Sequence, residues 1–139
     1  MGEDAPARPQ VCVGAVVIAG SQILLIRRGR PPEAGRWSLP GGRVEHCETL
    51  AEAVVREVRE ETGLEVICGP LIGWVERIHE GFHYVILDFE ATALEPEPIR
   101  AGDDAADVAW IEIDDLGELH LVEGVLEFLS DHGIGRTIV

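Results

Sequence analysis

Arg56, Glu57, Glu60 and Glu61 fall within two helical turns of one another and are closed off by Gly63. Carboxylates at i, i+3 and i+4 share one side of a helix and repel one another by a few tenths of a kcal/mol per pair. A divalent cation gives such a cluster a purpose. Mg²⁺ and Mn²⁺ prefer carboxylate oxygens, keep several waters and bridge to phosphates of a substrate. On a helical wheel with Leu50 at zero, Leu50, Ala51, Val54, Val55 and Val58 occupy an arc between about 0° and 140°. Glu57 and Glu61 then fall at about 340° and 20°, at or inside that apolar arc, and Glu60 at about 280°. Glu52, Arg56 and Arg59 lie towards the solvent side. Uncompensated carboxylates at a core boundary are costly, so the placement favours a metal site. The competing explanation is a charged helix edge neutralised by Arg56 and Arg59.

The elements that must position this cluster can be read from periodicity and turn residues. Thr49 to Thr62 reads as a helix, with Glu48 or Thr49 near its start, Glu52 in its first turn and Gly63 at its stop. Val11 to Ala19 and Ile23 to Arg27 read as a hairpin turned at Gly20-Ser21. Trp37 to Leu39 is a short strand entering Pro40-Gly41-Gly42, a turn in which glycines can take unusual angles. Val66 to Ile78 is a strand interrupted near Gly69-Pro70 and Gly73. Tyr84 to Leu94 alternates poorly, which predicts burial on both faces. Val108 to Ile113 is a last strand and Val122 to His132 a last amphipathic helix. The result is a mixed α/β chain without repeated βαβ units. Residues 1–9 are expected to be a flexible arm, and 10–139 one domain.

Composition narrows the partners. Of 139 residues, 26 are acidic and 11 basic, a net charge of −15, and every basic residue is Arg. That balance argues against binding a nucleic-acid polymer or a membrane surface, while metal ions would let a small phosphorylated substrate approach. No apolar run nears the roughly 18–20 residues of a membrane span. Cys12, Cys47 and Cys68 match no disulfide or zinc spacing, which suits a reducing, cytoplasmic setting.

Gly42, Glu48 and the run Arg56-Glu57-Val58-Arg59-Glu60-Glu61-Thr62-Gly63-Leu64 together resemble the Nudix box of the Nudix hydrolases, at every defining position. The flank Trp37-Ser38-Leu39-Pro40-Gly41-Gly42 agrees as well. The resemblance implies an α/β/α sandwich around a mixed β-sheet, with the box as a loop–helix–loop. It also implies hydrolysis of a diphosphate linked to another moiety, with Mg²⁺ or Mn²⁺ as cofactor. Carried over by position, Glu57, Glu60 and Glu61 would be metal ligands, joined by the backbone carbonyl of Gly41. Arg56 would orient the catalytic glutamates, and Glu48, Gly42 and Gly63 would support the box. Cys47 stands where many members have Gly, so the turn at His46-Cys47 is a point of departure.

Several assignments stay open from sequence. The general base is either a box glutamate, Glu57 or Glu60, or a carboxylate on a later loop: Glu97, Asp103, Asp104 or Asp107. Arg27, Arg28 and Arg43 are candidate phosphate contacts, because Arg binds phosphate bidentately. The markers of several subfamilies are absent, including a proline near Glu80. The run Tyr84-Val-Ile-Leu-Asp-Phe with Ala-Gly-Asp-Asp-Ala resembles small ADP-ribose pyrophosphatase-like proteins. That resemblance favours a nucleotide sugar such as ADP-ribose. A (deoxy)nucleoside triphosphate and a non-catalytic nucleotide sensor are the alternatives, and the resemblance leaves a homodimer open.

Overall fold

The computed structural model describes residues 8–102 and 104–134. Residues 1–7 of the expected arm therefore lie outside the described residues, as does Asp103.

Strand β1 (Gln10–Ala19) organises the molecule. Its β-branched residues alternate across the sheet: Val13, Ala15 and Val17 face one way and Val16 the other. Along most of its length β1 runs parallel to β6 (Phe82–Ala93), and on its other side Cys12 to Gly14 pair with β4 (Gly41–Arg43). Its last residues, Ile18 and Ala19, turn into β2 (Gln22–Arg28). Strand β2 then pairs with β3 (Trp37–Ser38) and β7 (Ala105–Glu112). The long strand β5 (Val66–His79) closes the other edge against β6, with register shifts between Cys68 and Gly73. Those irregularities sit where Gly69, Pro70 and Gly73 predict an interruption.

A helix covers each face. Helix α1 (Leu50–Thr62) contributes Ala53, Val54 and Val58 to a core with Val13, Ala15, Val17 and Leu24. Helix α2 (Val125–Asp131) contributes Phe128 and Leu129 to a second core with Val16, Ile23, Leu25 and Leu116. Burial of these side chains stabilises each layer by roughly 1.5–3 kcal/mol per large apolar residue. The architecture is the expected α/β/α sandwich around a mixed sheet.

Four local expectations change. Pro40-Gly41-Gly42 enters strand β4, and neither glycine takes a left-handed angle. These glycines are required for space. A Cβ on Gly41 would collide with the Val13 carbonyl, and one on Gly42 would stand 2.5 Å from a Glu57 carboxylate oxygen. Strand β6 is fully buried only at Asp88 and Ala91, because the two helices cover part of each face. Strand β7 begins at Ala105, earlier than Val108. The last helix starts at Val125, since Gly124 takes a left-handed angle (φ 91°) that a continuous helix cannot contain.

Candidate active site

Helix α1 is fixed at both ends. Thr49 is its N-cap: its hydroxyl accepts the Glu52 N–H while the Glu52 carboxylate accepts the Thr49 N–H. This reciprocal pair satisfies two of the amides that a helix start leaves open. At the other end Gly63 adopts the left-handed conformation (φ 82°) and donates to the Arg59 carbonyl. A later loop completes the cap, with Arg100 N–H donating to Thr62 O at 2.9 Å and Gly102 N–H to Glu61 O at 3.3 Å.

The buried stripe of α1 is rotated from the one read off the sequence. Ala53 is fully buried and Ala51 exposed. The rotation brings Ala53, at about 300°, into the arc, so Glu57 and Glu61 lie well within it. Glu57 is 12% exposed, whereas Glu60, one step outwards, is 41% exposed. Arg56 also departs from its solvent-side reading. Its side chain is 19% exposed because the loop carrying Arg43 to Glu48 folds over it.

Arg56 is the hub of the site. Its Nε and Nη2 donate to the two oxygens of Glu48, at 2.6 and 2.9 Å. Its Nη1 donates to Glu57 Oε2 at 3.0 Å and to Glu60 Oε1 at 3.2 Å, and Nη2 reaches the Arg43 carbonyl at 3.0 Å. One guanidinium thus locks two box carboxylates, the box glutamate of the preceding loop and the end of β4. The hydrogen bonds from Arg56, helped by the Glu45 N–H, hold the Glu48 carboxyl down at about 2. The same pairing with Glu48, and then with Glu57, pushes the Arg56 pKa further up.

The third carboxylate is held differently. Glu61 Oε1 accepts the Gly41 N–H at 2.9 Å, which ties the end of α1 to β4. The Glu57 carboxylate meanwhile rests in the space left by the missing Cβ of Gly42. The structure therefore brings Glu48, Arg56, Glu57, Glu60, Glu61, Gly41 and Gly42 together, as the sequence predicts. Among the described residues, no three His, Cys, Asp or Glu side chains converge as a closed metal cage. The donor set still fits a hard divalent cation in type. All its donors are hard oxygens, three carboxylates with the Gly41 carbonyl, and each Mg²⁺ takes one or two carboxylates and fills its other positions with waters and substrate phosphates.

The remaining candidates divide. Arg28 donates through Nε to the Pro32 carbonyl at 2.8 Å, so it shapes the loop after β2. Arg27 is half-buried in β2 opposite Trp37 and Asp107. Arg43 is exposed at the end of β4, next to the hub. Of the loop carboxylates, Asp104 pairs with Arg30 at 2.9 Å, and Asp107 accepts the Val108 N–H at 2.8 Å. Glu97 lies on the exposed loop that Trp110 Nε1 fastens through the Pro96 carbonyl. Cys47 takes φ 66°, an angle Gly would adopt at less cost, and its side chain is exposed. Sequence reasoning missed Asp88, a buried carboxyl on β6. Its only signal was a charged residue inside an apolar strand.

A family model described as the NUDIX domain matches residues 8–131. The chain belongs to the Nudix hydrolase family. Its Nudix domain is 38% identical over 114 residues to an ADP-ribose pyrophosphatase of Methanocaldococcus jannaschii, a match covering 80% of this chain and 66% of that protein. It is 50% identical over 58 residues to a putative 8-oxo-dGTP diphosphatase 2 of Mycobacterium tuberculosis, covering 41% of each. The chain thus spans 66% and 41% of the length of these two relatives. The crystal structure of a MutT NUDIX hydrolase from Burkholderia pseudomallei superposes with a TM-score of 0.80 at 35% identity, over 88% of this chain and 97% of that one. Among the described residues, no helix is long and apolar enough to cross a membrane.

Proposed function

We propose that this Nudix domain hydrolyses the diphosphate bond of a nucleoside diphosphate linked to another moiety, with ADP-ribose or a similar nucleotide sugar as substrate. The observation that carries the reading is the Arg56 hub, which presents Glu57 and Glu60 beside Glu61 at the Gly41-Gly42 strand. Mg²⁺ or Mn²⁺ held by Glu57, Glu60 and Glu61, with the Gly41 carbonyl, would neutralise the diphosphate and acidify a water for attack on phosphorus. The protein's own part is positioning. Glu48 fixes Arg56, Arg56 fixes Glu57 and Glu60, and the Gly41 N–H fixes Glu61. Arg43, beside the hub, and Arg27 on β2 are the proposed phosphate contacts, while Arg28 serves the loop after β2.

Two observations bear on the substrate. The relative named as an ADP-ribose pyrophosphatase aligns with most of this chain, which supports the nucleotide-sugar reading. The relative named for 8-oxo-dGTP matches more closely over a shorter stretch, which keeps a nucleoside triphosphate as the second reading. A non-catalytic sensor is disfavoured because every box glutamate is present and engaged. Three free cysteines suit the reducing cytoplasm.

Product analysis across ADP-ribose, dGTP and 8-oxo-dGTP, with and without Mg²⁺, tests the proposal. AMP plus ribose 5-phosphate supports the first reading, and pyrophosphate release supports the second. No Mg²⁺-dependent turnover on any of them would overturn both.

A further inference from the structure

A single row of residues crosses four strands beneath α2. Gly41 on β4 pairs with Gly14 on β1, Gly14 with Asp88 on β6, and Asp88 with Gly73 on β5. Asp88 is thus flanked on both sides by residues without side chains. It is only 4% exposed, and no described residue donates a hydrogen bond to it. Its carboxyl leans over Gly14, where a Cβ would collide with Oδ1, and so points along the row towards β4 and the catalytic glycines. Among the described residues, His132, seated over Gly73 with its ring tilted against Phe128, is the side chain whose field reaches it. Burial pushes this carboxyl up to about 7. A buried carboxyl that no described residue hydrogen-bonds costs stability, so packing alone gives no reason for its presence.

The same sheet face holds a second unanswered acceptor. Strand alternation puts Gln10 on the face of Gly14, four residues away and roughly 13 Å along the strand. Its Oε1 is buried without a hydrogen-bond partner. Acceptors in an acidic chain repel phosphate and call for N–H or O–H donors. Two interstrand spacings, about 10 Å, separate Asp88 from Gly41 on β4. Helix α1 covers the opposite face of the sheet, so a nucleotide with its diphosphate at the carboxylates would pass over β4, which pairs only with β1, to bring its sugar and base to this row.

We propose that Asp88 binds the nucleoside portion of the substrate by accepting an N–H or O–H from its base or ribose, across the glycine row from the hydrolytic site. The proposal makes Asp88 a specificity-determining residue and rests on the nucleotide-hydrolase reading above. Its test uses metal-free protein, so that binding is read apart from hydrolysis. AMP should move the Asp88 carboxyl carbon signal and the Gly14 and Gly73 amides, whereas inorganic phosphate should leave them in place. Asp88→Asn and Asp88→Val should weaken AMP binding and raise the KM for ADP-ribose by roughly ten-fold or more, with kcat changed less than about two-fold. AMP shifts confined to residues 50–62, or variants with wild-type AMP affinity and KM, would overturn the assignment. Protein that binds AMP at Asp88 but hydrolyses nothing would refute the enzymatic reading and leave this binding site standing.

Discussion

At the scale of single residues, the site depends on one guanidinium. Arg56 makes hydrogen bonds to Glu48, Glu57, Glu60 and the Arg43 carbonyl, and only a planar fork can do this at once. Arg56→Lys keeps the charge but loses the two-oxygen grip on Glu48. Turnover should fall by roughly ten-fold or more with the circular dichroism spectrum unchanged. Glu57→Gln and Glu61→Gln should cost more, about a hundred-fold in kcat at saturating Mg²⁺; wild-type turnover in either would refute the metal-site reading. The titration of Glu48 has a definite sign. Its folded-state carboxyl is held at about 2, below the ordinary 4.5, so its ion pair stabilises the fold fully above pH 4.5. That contribution is lost as pH falls towards 2, and chemical denaturation of Glu48→Gln should show a flatter acid limb than wild type. Asp88 has the opposite sign. Its folded-state carboxyl is raised to about 7 from 3.8, so the native state favours the proton and loses stability as pH rises through that window. Asp88→Asn should be the more stable protein at pH 8.

At the scale of elements, α1 and β4 form the working unit. The N-cap makes α1 rigid from its first turn, and Thr49→Ala should destabilise the protein by about 1 kcal/mol in urea denaturation. Gly42→Ala probes the seat of Glu57. The added methyl would stand 2.5 Å from the carboxylate, so activity should collapse while stability falls much less. The helix, its caps and its acidic face were legible in the sequence, because a 13-residue segment with its own start and stop signals needs little help from elsewhere. Strand β4 was not. Its three residues pair only with β1, about thirty positions away, and Pro-Gly-Gly carries the local signature of a turn. Docking of the 100–102 backbone onto the end of α1 was equally hidden, since main-chain amides leave no trace in residue type.

For the whole molecule, two cores on opposite sides of one sheet hold α1 and α2 apart and keep both faces of β1 in use. Leu129, fully buried in the α2 core, tests that layer. Leu129→Ala should cost about 2–5 kcal/mol of stability and leave the Arg56 network intact. Cation binding should register globally as well. A ligand that binds only the folded state adds about 2.7 kcal/mol at a hundred times its Kd. Mg²⁺ should therefore raise the melting temperature of the wild type and not that of a Glu57→Gln, Glu61→Gln double variant.

The sequence by itself determined the family, the α/β class, the helix with its carboxylates and the partnership of Arg56 with them. Each of these is written in residue type at short, fixed spacing. Only the tertiary structure decided that Gly41 and Gly42 serve as room for backbone and carboxylate, and that Arg56 is enclosed by its own loop. It alone placed Asp88 in a row with Gly14, Gly41 and Gly73 that leads to β4. Those facts depend on strand register and on which residues meet across the sheet, and pairing between distant strands leaves no local pattern to read.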